Sequence, residues 1–303
     1  RAALLAAMCG FLVLALAIPG AFVGTGLTFG LAYLAVVLVH WAVFASTANV
    51  SLTRAIFGLV PYNLVAAVLV LVGGAVGGTV QYVLWALAFV FEWSTPRLTD
   101  ITGFTIAPAH FVERHGLVVI IAIGESVVAV GTGARGLAVT FSLVGVAVMG
   151  LLLSACLWWA YFGSGDAERA EEAIARAPRA RRAQMAVYGY GWWHIAILLG
   201  VIAIAGAMRH AIGHASIELN SGQAIMLGGG AAVFMVGDVL FRRVLGIDRG
   251  MWRLAAAALA LATIPLGTQV SAVTQIIVLV LVLGGALAAE AGPQAGYLSG
   301  RSG

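Results

Sequence analysis

Residues 108–126 read PAHFVERHGLVVIIAIGES, and this stretch decides the fold. Pro108 opens it. A cluster of titratable and charged side chains follows: His110, Glu113, Arg114 and His115. Then comes the apolar run 117–123, and after it the lone carboxylate Glu125 between Gly124 and Ser126. A polar head on a long apolar run is the pattern of a membrane helix anchored at one interface. An acid inside such a helix is costly, so its presence is informative.

The rest of the 303-residue chain repeats the apolar half of that pattern. It is 62% hydrophobic and 9% charged, with a mean hydropathy of +1.05, whereas soluble domains run near about 25% charged. No water-soluble core absorbs that much apolar surface. The expected fold is therefore all-α: one polytopic transmembrane helical bundle over 1–303, with lipid as its solvent. Ten segments approach the roughly 20 residues that a span needs: 2–18, 27–46, 54–73, 78–93, 111–130, 137–162, 187–208, 222–241, 252–267 and 272–290. The fourth, fifth and ninth carry the thinnest signal. Glycines recur at helix-packing spacing, as at Gly74, Gly77 and Gly78 or at Gly228–Gly230, which suits a closely packed bundle.

Ten spans put both ends on one side and sort the loops into two groups. All 16 basic residues are arginine. Counting helix-end residues, fourteen fall to the group holding both termini, 47–53, 94–110, 163–186 and 242–251; only Arg135 and Arg209 fall to the other. This bias makes the first group cytoplasmic. The net charge of +4 does not point to nucleic acid, because the arginines lie in short loops beside apolar helices. The loop 163–186 is acidic in its first half and basic in its second, which predicts a short surface helix stopping at Pro178. Cys9 and Cys156 both fall inside predicted spans and form no disulfide framework. The chain starts at Arg1 with an apolar helix at once, and is read as lacking its true N-terminus.

There is no phosphate-binding loop, dinucleotide fingerprint, Gly-x-Ser-x-Gly elbow or His-Glu-x-x-His motif, so no cofactor, metal or catalytic residue is assigned. The candidate residues are those that lipid should exclude. His110, Glu113 and Arg114 are spaced i, i+3 and i+4 and share a helical face. Counted from Leu117, Glu125 lies eight residues into the apolar run, about 12 Å at a helical rise of 1.5 Å. An ionised carboxylate there needs a partner or a water-filled cavity, or it takes up a proton. Arg114 and Glu125 are eleven residues apart, close to three turns, so one polar stripe joins the interface to mid-helix. His194, in the run Tyr188 to His194, lies at a similar depth in the seventh segment and is the candidate partner of Glu125. Glu92 ends the fourth segment at the same interface. Asp238 and Arg242, at i and i+4, read as a local ion pair. His210, His214 and Glu218, at i, i+4 and i+8, have metal-ligand spacing, weakened by Gly213 and a polar setting.

The run from His110 to Ser126 also resembles the signature of the bacterial low temperature requirement A family. That pattern is close to Glu-Arg-Phe-Gly-Leu-Phe, an Ile/Val run, then Leu-Gly-Glu-Ser. Here His115 replaces the usual aromatic and Ile123 the usual leucine. The segments Glu92 to Pro96 and Tyr188 to His194 are similar to the family as well. The resemblance implies an earlier Glu-Leu-Phe-Phe-Asp-Leu segment and an aromatic helix that this chain lacks. The whole protein would then have about twelve spans in two halves, with a half boundary near 94–110. The family name records a growth phenotype in the cold and implies no substrate.

The expected function is ion or proton translocation, with Glu125, Ser126 and His194 as the mid-membrane site. His110, Glu113, Arg114, His115 and Glu92 form the cytoplasmic mouth. The alternatives are a membrane-embedded enzyme acting on a lipid-like substrate and a non-catalytic membrane-adaptation protein. The expected partners are the lipid bilayer and an unidentified small molecule or ion, with the oligomeric state open.

Overall fold

The computed structural model describes residues 2–45, 50–99, 106–163, 165–247 and 250–299. Arg1, Arg249, Arg301 and the middle of the 94–110 boundary lie outside the described residues. Those described are helical throughout, without a β-strand among them. They form two compact units, Arg1–Thr105 and Ile106–Gly303.

The first unit holds α1 (Ala2–Ala17), α2 (Gly26–Ala45), α3 (Val50–Val76) and α4 (Gly78–Leu98). Each packs on the next along the chain. The reversal between α3 and α4 takes a single residue. Gly77 and Gly78 have φ of 73° and 58°, a region that a side chain disfavours and glycine does not. Gln81 of α4 is buried and donates to the Ala21 carbonyl at 2.7 Å, tying down the turn between α1 and α2. The Trp85 indole N–H donates to the Val70 carbonyl at 2.9 Å. Both bonds answer carbonyls that lipid cannot.

The second unit holds α5 (Pro108–Gly133), α6 (Phe141–Phe162), α7 (Asp166–Arg176), α8 (Arg179–Gln184), α9 (His194–Ala211), α10 (Ser221–Leu245), α11 (Met251–Ala262), α12 (Ile264–Gln269) and α13 (Ala272–Ser299). A π-helical stretch, Met185–Trp193, joins α8 to α9. The central element is α10, which packs against α9, α11, α12 and α13; 67% of its apolar window is buried, against 22% for α5. A capping box starts it: Asn220 Oδ1 accepts from Gln223 N at 2.9 Å, and Gln223 Oε1 from Asn220 N at 3.2 Å. Gly246, left-handed, ends it. Contact with α9 is close enough that a Cβ on Gly200 would lie 2.6 Å from the Gly230 carbonyl oxygen. Such approach needs glycine.

All ten predicted segments fall on helices. Nine helical stretches among the described residues are long and apolar enough to cross a membrane. The remaining segment is α4, where Gln81 and Glu92 interrupt the apolar run. The ninth segment is broken at Thr263 into α11 and α12, because Pro265 lacks the N–H that would continue the ladder. The chain is a multi-pass helical membrane protein. The helix predicted within 163–186 is α7, with Asp166 and Glu168 in its first turn and Arg176 in its last. Ala177 is extended before Pro178.

Candidate functional site

Helix α5 is unbroken from its polar head to Gly133. Its buried residues, Val112, Gly116, Val119, Ile123, Ser126 and Ala129, recur every three or four positions. That face meets α6 and α9. Arg114, Val118, Ile121, Glu125 and Val128 follow one another on an exposed stripe. Arg114 and Glu125 thus share a face, and it points away from the core. No hydrogen bond or ion pair joins Glu125 to a described residue. His110 Nδ1 and Glu113 Oε2 are 3.9 Å apart, and both side chains are about two-thirds exposed, at 64% and 68%. Glu92 belongs to the first unit, half-buried near the end of α4.

The neighbour of His194 on α5 is His115. Their ring centroids are 5.4 Å apart, and no described contact joins His194 to Glu125. His115 lies ten residues before Glu125 on α5, about 15 Å along the axis. Equal residue counts from two helix starts do not mean equal depth, because the two apolar runs begin at different levels of the bundle. Four elements supply rings around it. Tyr190 of the π stretch and Tyr161 of α6 both lie 5.7 Å away, and Phe241 of α10 lies 6.1 Å away. His115 is held by Phe111, whose carbonyl oxygen is 2.8 Å from His115 Nδ1 and whose ring is 4.3 Å away. His194 is only 2% exposed; neither of its nitrogens makes a well-formed hydrogen bond among the described residues, and its one polar neighbour within weak hydrogen-bonding reach is the backbone of His115. The Tyr190 hydroxyl and Ser126 Oγ are likewise buried and unpartnered.

A cleft of about 320 Å³ opens in front of this cluster. Tyr161, Tyr190 and Phe241 line it from the cluster side, so His194 sits behind rings that face the cleft. Gly116, Leu117 and Ile120 of α5 give an apolar wall, and Glu113, Asp166, Glu168 and Glu171 give an acidic one.

Beside the cleft lies an ion network that sequence reasoning saw only in part. The Arg242 guanidinium donates to Asp166 and, at 3.2 Å, to Glu290 Oε1, with its Nε 3.6 Å from Asp238. Arg253 donates to Asp238, to Glu290 Oε2 at 2.8 Å and to the Ala160 carbonyl at 2.7 Å. Arg169 Nη2 closes the set, 3.3 Å from Asp166 Oδ1. The Arg242 and Arg253 side chains are 1% and 0% exposed. The Asp238–Arg242 pair was legible as an i, i+4 spacing. Its other partners lie on α7, α11 and α13, which no local pattern reports.

His210 and His214 stack at 4.4 Å. The helix tightens into a 3₁₀ turn at Ile212–His214, so their face does not run on to Glu218. Among the described residues, no three His, Cys, Asp or Glu side chains are grouped to hold a metal.

The family model of the bacterial low temperature requirement A protein matches residues 1–288. An uncharacterized protein of Rhizobium meliloti (strain 1021) is 27% identical over 246 residues, which is 77% of this chain. The match spans 59% of that relative's length. No solved structure matches the chain.

Proposed function

The chain belongs to the bacterial low temperature requirement A family, and we propose that it is a proton- or cation-coupled transporter of the bacterial cytoplasmic membrane. The observation that supports this reading is the buried His115–His194 pair behind the cleft, with His194 held by no more than a weak contact to the His115 backbone. Leaving a buried polar atom without a partner costs about 1–3 kcal/mol. Ionisable groups kept at that cost inside a membrane protein mark ion and proton paths. Imidazole is the side chain whose ordinary titration lies nearest neutral pH, which suits it to passing protons.

In this reading the cleft is the cytoplasmic entrance, on the side that the arginine distribution assigns. Protons pass the Tyr161–Tyr190 wall to His194 and His115. Ser126, on the same inward face of α5, continues the path about 16 Å further along the helix. Glu125, one residue away on the outward stripe, binds and releases the cation at mid-depth. Glu113, His110 and Arg114 set the charge at the entrance.

The test is proton uptake into liposomes holding the protein, under an imposed gradient. Wild type should take up protons, and His194→Gln and Glu125→Gln, reconstituted to equal density, should not. Wild-type rates in both variants would contradict the reading.

A further inference from the structure

We propose that the cleft between α5, α6 and α7 binds an amphipathic organic cation, a hydrophobic amine or quaternary ammonium. As the cargo coupled to protons, this ligand rests on the translocation reading above; as a bound ligand it stands independently.

Three features of the cleft select that chemistry. The first is charge. Glu113, Asp166, Glu168 and Glu171 line it, and no Arg, Lys or His does. Glu168 and Glu171, both exposed, repel an anion. A bare metal ion finds Asp166 as the one buried carboxylate, already held by Arg169 and Arg242. The second is the ring set. Phe241 lies 5.9 Å from Tyr161, stacked, and 4.8 Å from Tyr190, edge-on. Aromatic faces attract an ammonium head through the ring quadrupole, and more strongly where water is thin. The buried Tyr190 hydroxyl has no hydrogen-bond partner among the described residues; an amine head that reached it would supply an N–H, whereas a quaternary ammonium would rely on the rings alone. The third is shape. The cleft follows α5 from Ala109 to Ile120, about 16 Å at the helical rise. Leu117 and Ile120, both exposed, line its far end. A ligand with a cationic head among the rings and carboxylates would lay its apolar part along that wall. The 320 Å³ volume matches a small-molecule site.

The test is equilibrium binding of benzyltrimethylammonium to the whole chain in a non-ionic detergent. Benzylsulfonate serves as the anion of similar size, and N-benzylacetamide as the neutral one. Saturable binding of the ammonium is expected, with both counterparts about tenfold weaker or more. The double variant Glu168→Gln, Glu171→Gln changes only exposed side chains on α7, so its folding is safe; it should weaken the ammonium about three- to tenfold. Phe241→Leu should weaken it by a similar factor through the lost ring. Equal binding of the neutral or anionic compound, or an unchanged affinity in the double variant, overturns the proposal. Binding without proton flux would keep this site and overturn the translocation reading. Flux without binding would do the reverse.

Discussion

His194 and Glu125 stood out in the sequence for one reason: each puts a titratable group where lipid or a dry core should be. Their directions were not legible. A helix that is apolar all round gives almost no contrast between its faces, so depth could be counted and orientation could not. The structure turns His194 inward against His115 and Glu125 outward on the Arg114 stripe. The sequence places His115 in the cytoplasmic mouth, beside Glu113 and Arg114. Its contacts are instead aromatic, with Phe111 and Tyr190 at 4.3 and 4.8 Å, as suits a position where the family signature carries a ring. Ser126 makes a test at this scale. Its Oγ is buried without a partner, so Ser126→Ala removes a desolvated hydroxyl and no hydrogen bond. Thermal unfolding in detergent should show unchanged stability or a gain of up to about 1 kcal/mol. A clear loss would mean that Ser126 is bonded within the bundle.

At the scale of elements, hydropathy located all ten segments, and the charge split located α7. The break at Thr263 and the π-helical Met185–Trp193 left weaker marks, since both depend on packing with other helices as well as on local residues. The ion network is the element-level feature with the largest expected effect. It joins α7, α10, α11 and α13 through Asp166, Asp238, Arg242, Arg253 and Glu290. Arg253→Met leaves Asp238 and Glu290 with one fewer counter-charge and should cost about 3–5 kcal/mol. Arg176→Met, which breaks only the exposed pair with Glu172, should cost less than about 1 kcal/mol. Equal melting temperatures for the two variants would show that the buried network does not hold these helices. Gly200→Leu should also destabilise, by about 1–3 kcal/mol or more, because its side chain would meet the Gly230 carbonyl across the α9–α10 contact.

For the whole molecule, the arginine bias remains the argument for orientation. Arg242 and Arg253 bind buried acids, yet both sit at helix ends on the side where the other arginines gather. In a variant lacking Cys9 and Cys156, Glu172→Cys on α7 should react with an impermeant thiol reagent only after cells are opened. Ser216→Cys, between α9 and α10, should react from outside. The reverse pattern would invert the topology. Under the proposed function, the buried and poorly bonded His194 is kept for translocation and against stability. The measurement that reaches it most directly pairs thermal unfolding with liposome proton flux for His194→Phe. That substitution keeps a ring among Tyr161, Tyr190 and Phe241 and removes two buried, poorly bonded nitrogens. The expected result is a protein at least as stable as wild type, by up to about 1 kcal/mol, that carries no proton flux. Flux at the wild-type rate in a folded His194→Phe protein would contradict it.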